Sequence, residues 1–130
     1  MTVAEHSVRL PNGDECAYEV DESVPFAVAT LVFDGEHVLL ARQYRYPIGC
    51  RIYDLPGGAG EACEEPTQAA RRELEEELGL VAKDLTPLHS FYTNPGRSAW
   101  PVHLFTCTRT AEGTAKPDDP TEQVRLVQMP

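Results

Sequence analysis

Apolar and polar positions along this chain fall into short runs whose period changes once. "SVRLPNGDECAYEV" sets alternating residues on either side of Pro-Asn-Gly-Asp, which predicts two short strands joined as a hairpin. "PFAVATLVFDGEHVLLARQYR" predicts a nearly continuous apolar strand, a turn at Asp34 and Gly35, and a second strand over 38–42. Such a density of apolar residues suits buried strands better than an exposed meander. "YPIGCRIYDLPGGAG" predicts a loop with one short strand over 51–55. Further on, "DLTPLHSFYT" and "WPVHLFTCTRT" read as two strands flanking a loop over 94–98. "AEGTAKPDDPTE" is a polar loop with Pro and Gly, and "QVRLVQM" is a last strand. With the helix between them, these elements predict an α/β chain.

The period turns helical after Pro66. Proline suits a first helical turn, where its missing N–H costs nothing, and Glu64 and Glu65 sit well at the positive end of the helix dipole. Gly79 is placed to end the helix in a left-handed conformation. At roughly 100° per residue, Ala70, Leu74 and Leu78 share one face, which should pack on a sheet. Glu73, Glu76 and Glu77 share the adjoining stripe. A solvated helix stitched by Arg71–Glu75 and Arg72–Glu76 pairs is the ordinary explanation of such a charge run. It explains less well why three carboxylates lie beside the apolar face rather than opposite it. Converged carboxylates are what hard cations such as Mg²⁺ require.

Composition narrows the classes. The 130 residues suffice for one domain with a real core, and 42% apolar with 25% charged residues is ordinary globular composition. A net charge of −10 argues against binding nucleic acid or an anionic membrane through a basic surface. An anionic ligand would then need metal cations to mediate its contact. No segment reaches the roughly 18 apolar residues of a membrane helix, and the first ten residues lack a signal-peptide pattern. Cys16, Cys50, Cys63 and Cys107 are scattered without CxxC spacing, which argues against zinc and fits a reduced, cytoplasmic setting.

Residues 58–80 fill every specified position of a known signature. Gly58, Glu64, Arg72, Glu73, Leu74, Glu76, Glu77, Gly79 and Leu80 match Gly-x5-Glu-x7-Arg-Glu-U-x-Glu-Glu-x-Gly-U, with U a bulky aliphatic. The chain therefore resembles the Nudix hydrolases. That resemblance implies a mixed β-sheet in an α/β/α sandwich, with the signature as a loop–helix–loop. It also implies hydrolysis of a nucleoside diphosphate linked to another moiety, with Mg²⁺ or Mn²⁺ as cofactor. Carried over from the family, Glu73, Glu76 and Glu77 are metal ligands together with the backbone carbonyl of Gly57. Arg72 and Glu64 form a bracing ion pair, and Gly58 and Gly79 complete the structural box.

The flanks are similar to ADP-ribose and ADP-sugar pyrophosphatases. "QYRYPIG" and "YDLPGG" resemble their Gln-x-Arg-Tyr-Pro and Glu-Leu-Pro-Ala-Gly runs, and Pro95 falls where those enzymes commonly carry a proline. The resemblance implies substrate contacts from Arg45, Gln43, Asp54 and Pro95, with Arg45 chemically suited to phosphate oxygens. It also implies an N-terminal hairpin, residues 1–24, that pairs across a homodimer, followed by the hydrolase domain over 25–130. Three features depart from the pattern. Asp54 stands where Glu is usual, the segment 94–100 has no carboxylate to serve as catalytic base, and no N-terminal tryptophan stands ready to stack on a base. Glu112 in the next loop is the expected base by position, with Asp118, Asp119 and Glu122 as alternatives and Glu73 in reserve. A nucleoside triphosphate pyrophosphatase of the MutT type and a non-catalytic nucleotide-binding module are the competing readings.

Overall fold

The computed structural model describes residues 2–82, 84–108, 111–112 and 125–129, the last two stretches by backbone alone. Strand β3 (Ala27–Asp34) organises it. In sequence this is the most apolar strand, and in space it lies at the middle of a seven-stranded sheet. Along one side β3 runs parallel to β9 (Val102–Thr108), with Ala27 opposite Val102 and Phe33 opposite Thr108. Along the other side it changes partner. Residues 32–34 pair with β4 (His37–Arg45) across a turn at Gly35, whose φ of 62° favours glycine. Residues 27–29 pair instead with β6 (Gly57–Ala59). The sheet splays between β3 and β4, and the β5–β6 segment occupies the wedge, with β5 (Cys50–Asp54) bonded to β4. Outer strands β8 (Thr86–Phe91) and β11 (Arg125–Met129) complete the order β11-β4-β3-β9-β8.

Helix α1 (Pro66–Leu78) begins and ends on the residues its capping chemistry dictates. Glu65 is the N-cap: its side chain accepts from the Gln68 amide, and its own amide donates to Gln68 Oε1 at 2.9 Å. Gly79 turns left-handed at φ 65°, and its N–H reaches the Glu75 carbonyl at 3.0 Å. The helix buries Ala69, Ala70, Leu74 and Leu78 against the sheet. Leu74 and Leu78 pack with Val32, Leu39, Ala41, Leu80, Ala82 and Cys107, while Ala69 and Ala70 pack with Phe26, Val28 and Phe105. Leu85 touches both clusters. Full burial of an aliphatic side chain such as Leu74 or Leu39 contributes about 1.5–3 kcal/mol. This apolar face fixes how α1 is rotated, and so which way its carboxylates point.

Three expectations need correction. Strand β4 continues to Arg45 because β5 pairs with it through 41–45. The glycine run, which has no period to read, forms strand β6 rather than loop. Residues expected in a loop form β10 (Ala111–Glu112), antiparallel to β7 (Leu80–Val81), with Glu112 opposite Leu80. The expected mixed sheet is present, and α1 is the one α-helix among the described residues. On the opposite face of β3, Ala27, Ala29 and Leu31 are half-buried and Phe33 is exposed.

The N-terminal hairpin forms as expected from β1 (Val3–Arg9) and β2 (Glu15–Asp21), in register from Val3 opposite Asp21 to Arg9 opposite Glu15. It is a separate two-stranded sheet. No described helix is long and apolar enough to cross a membrane.

Candidate active site

The splayed sheet sets a glycine turn beneath the polar stripe of α1. Buried Pro56 accepts from the Thr30 amide at 2.9 Å, which pins the entry to the turn. A side chain at Gly57 would collide with the Val28 carbonyl. One at Gly58 would stand 2.7 Å from Glu73 Oε1. The glycines therefore let the helix carboxylates rest on backbone. The Gly57 amide donates to Glu77 Oε2 at 3.1 Å.

Arg72 ties this cluster to the loop that precedes the helix. Its Nε and Nη2 donate to the two oxygens of Glu64 at 2.9 and 3.0 Å, a bidentate pair. Nη2 also donates to the Ala59 carbonyl at 3.1 Å. Nη1 reaches Glu73 Oε1 at 2.9 Å and Glu76 Oε2 at 3.4 Å. The hydrogen bond from Arg72 holds the Glu64 carboxyl below its usual value against the opposing effect of burial. The same bond raises Arg72 above its ordinary value, so it stays charged. Glu73 behaves differently: burial pushes its carboxyl above the usual range, opposed first by the charge of Arg72.

Glu73, Glu76 and Glu77 offer hard oxygen donors only, and they adjoin a turn whose backbone is bare of side chains. That donor set fits a divalent cation of the magnesium type. Among the described residues no three acidic, histidine or cysteine side chains converge on one point. Glu73 and Glu76 are instead engaged by Arg72, whose Nη1 lies 2.9 Å from Glu73 and 3.4 Å from Glu76.

The flanking residues divide into two groups. Gln43 is buried on β4, opposite Ile52. Arg45, opposite Cys50, and Asp54, opposite Ala41, stand at the two ends of the β4–β5 ladder, and their half-exposed side chains reach along it to an ion pair at 3.8 Å, so the shorter aspartate has a partner at hand. Pro95, by contrast, is exposed on the loop 94–98, whose described hydrogen bonds run within the loop and to the N-terminal hairpin. Glu112 lies by its backbone beside Leu80, the last residue of the box. Asp118, Asp119 and Glu122 lie outside the described residues. A cavity of about 320 Å³ opens elsewhere, between the start of α1 and strands β8 and β9, and contains none of the box carboxylates.

Two contacts had no signal in the sequence. Phe26 lies against Gly60, where its ring leaves no room for a side chain, and Tyr18 donates its hydroxyl to the Gly96 carbonyl at 2.5 Å. Both join residues far apart in the chain.

Comparison with known proteins agrees with this geometry. The NUDIX domain family matches residues 24–130. An ADP-ribose pyrophosphatase of Bacillus subtilis (strain 168) is 43% identical over 99 residues, which cover 75% of this chain and 53% of that protein. A methanol dehydrogenase activator of Bacillus methanolicus is 34% identical over 128 residues, covering 94% of this chain and 66% of the activator. A solved structure described as an ADP compounds hydrolase superposes with a TM-score of 0.85 at 25% identity, over 98% of this chain and 69% of that one. The chain spans between half and two thirds of the length of these two curated relatives. On the match over residues 24–130, with the signature folded as glycine turn and carboxylate helix, this chain belongs to the Nudix family.

Proposed function

We propose that this chain hydrolyses the pyrophosphate of a nucleoside diphosphate joined to another group, ADP-ribose or a similar nucleoside diphosphate sugar. One phosphoanhydride bond breaks, water supplies the new oxygen, and the products are a nucleoside monophosphate and a sugar phosphate. The observation that carries this reading is the gathering of Glu73 and Glu77 on the bare Gly57–Gly58 backbone, with Glu76 one helical turn from Glu73. Nudix hydrolases use divalent metal ions, and Mg²⁺ or Mn²⁺ held by these three glutamates and the Gly57 carbonyl is the cofactor of the proposal. Such ions, when bound, offset phosphate charge and lower the pKa of water. A chain of net charge −10 has every electrostatic need of them before it can admit a pyrophosphate.

Other side chains hold the substrate. Arg45, exposed enough to turn from Asp54 to a phosphate, supplies a bidentate donor, and Asp54 keeps it aimed when no phosphate is present. Gln43, buried on β4, and Pro95, exposed on the outer loop, complete the proposed substrate contacts. Glu112 is the proposed base, supported by its strand position beside Leu80. Similarity to two proteins whose names include ADP-ribose or ADP compounds favours the sugar nucleotide over a triphosphate. The similarity to a methanol dehydrogenase activator is the one observation that favours a regulatory module instead. All four cysteines are free, which supports a reducing, cytoplasmic compartment. The hairpin's pairing as a two-stranded sheet of its own supports its use in a homodimer.

Chromatographic detection of nucleoside monophosphate formed from nucleoside diphosphate sugars and from triphosphates, with Mg²⁺ and with Mn²⁺, tests the reaction. ADP-ribose or a close analogue should be turned over best; no turnover of any nucleotide would leave the module reading in possession. Glu76→Gln and Glu77→Gln should each lower kcat by at least about two orders of magnitude with the fold intact. Near-normal rates at limiting Mg²⁺ would remove them as ligands.

Glu112→Gln should lower kcat by roughly 10²–10⁴-fold with little change in metal affinity. Full activity in that variant beside losses at Asp118, Asp119 or Glu122 would move the role to the neighbour. Sedimentation equilibrium should find dimers; monomer alone at high concentration rules the dimer out.

A further inference from the structure

Three segments meet at the first residue of β3. Ala27 has Ala59 of the glycine strand on one side and Val102 of β9 on the other. Two strand spacings, roughly 9–10 Å, therefore separate the box from the start of β9. The loop 94–101 leads directly into β9, and its Pro101 carbonyl accepts from the Ala27 amide at 2.9 Å. The third segment arrives from the N-terminal hairpin through Phe26. The Phe26 carbonyl accepts from the Gly60 amide at 2.9 Å, and its ring meets His103 edge-on at 5.8 Å.

The hairpin also grips the loop itself. Tyr18 donates its hydroxyl to Gly96, and the Asp21 amide donates to the Arg97 carbonyl at 2.7 Å. Asp21 stands opposite Ser98 in a parallel bridge, and its carbonyl accepts from the Ala99 amide at 3.4 Å. Inside the loop, Arg97 and Ser98 donate to the Asn94 carbonyl at 3.1 and 2.8 Å. Residues 91–97 are all exposed, so packing into the core does not hold this loop. Its hydrogen bonds to the hairpin do.

We infer that the N-terminal hairpin sets the conformation of the loop 94–98 at the edge of the nucleotide site, with the Tyr18 hydroxyl as the positioning group. This rests on the proposed reading of that site. The loop has no carboxylate to act as a base. Asn94, Arg97 and Ser98 supply donors of the kind that sugar and phosphate oxygens accept. The hairpin thereby acts on substrate affinity, leaving the chemical step to the box.

Tyr18→Phe removes the donor and little else. Amide exchange over residues 94–99 should quicken about fivefold, the order of shift that one lost hydrogen bond produces. KM for ADP-ribose with Mg²⁺ should rise by a similar factor, while kcat stays within about twofold, since uniform binding alone is lost. Glu15→Gln, at the outer end of the hairpin, should change neither. Unchanged exchange in Tyr18→Phe overturns the inference, and so does quickened exchange with an unchanged KM. A parent protein that hydrolyses no nucleotide defeats the functional reading instead, and the brace then stands or falls on the exchange result.

Discussion

Everything in the site depends on where one guanidinium sits. Arg72 leaves the helix in its second turn and reaches back to Glu64 with both oxygens engaged, so the loop before the helix cannot swing away. A third contact, to the Ala59 carbonyl, fastens the glycine strand to the same point. The remaining nitrogen, Nη1, faces Glu73 and Glu76. Acidic side chains this close repel one another, and burial adds to the cost of charging Glu73. A permanent cation among them keeps the cluster together. Lysine could not do this, because a point charge cannot form a two-pronged bond to Glu64 while serving two further carboxylates and a carbonyl.

The guanidinium works only because the sheet opens beside it. Were β3 and β4 paired along their whole length, no backbone would lie under the helix carboxylates. By releasing β4 beyond Val32, β3 makes room for residues 57–59, and the tightness of that fit excludes side chains at Gly57 and Gly58. Packing and function converge here. The apolar face of α1 sets its rotation, the rotation points Glu73 and Glu77 at the turn, and the missing side chains let them arrive.

The parts that could be read from the sequence were those encoded locally. Pro66, Gly79 and the spacing of Ala70, Leu74 and Leu78 define the helix through capping and period, both of which act within a few residues. The Arg72–Glu64 pair was visible as a signature spacing. The order of strands was not, because β3 lies between β6 and β9 through contacts made by residues distant in the chain. Strand β6 escaped notice because glycines carry no hydrophobic period. Tyr18 and Phe26 look like ordinary aromatic residues of a strand and its approach until the fold brings Gly96 and Gly60 to them. Likewise, nothing in "TAEG" marks Glu112 as paired with Leu80.

The proposed function has Glu73 and Glu76, both within reach of Arg72 Nη1, take a divalent ion. Calorimetric titration of Mn²⁺ into the parent protein and into the Glu73→Gln/Glu76→Gln double variant tests it without recourse to activity. The account predicts saturable binding to the parent and an affinity lower by at least about tenfold in the variant, with both proteins giving the same far-ultraviolet circular dichroism. Equal Mn²⁺ affinity in the two folded proteins would contradict it.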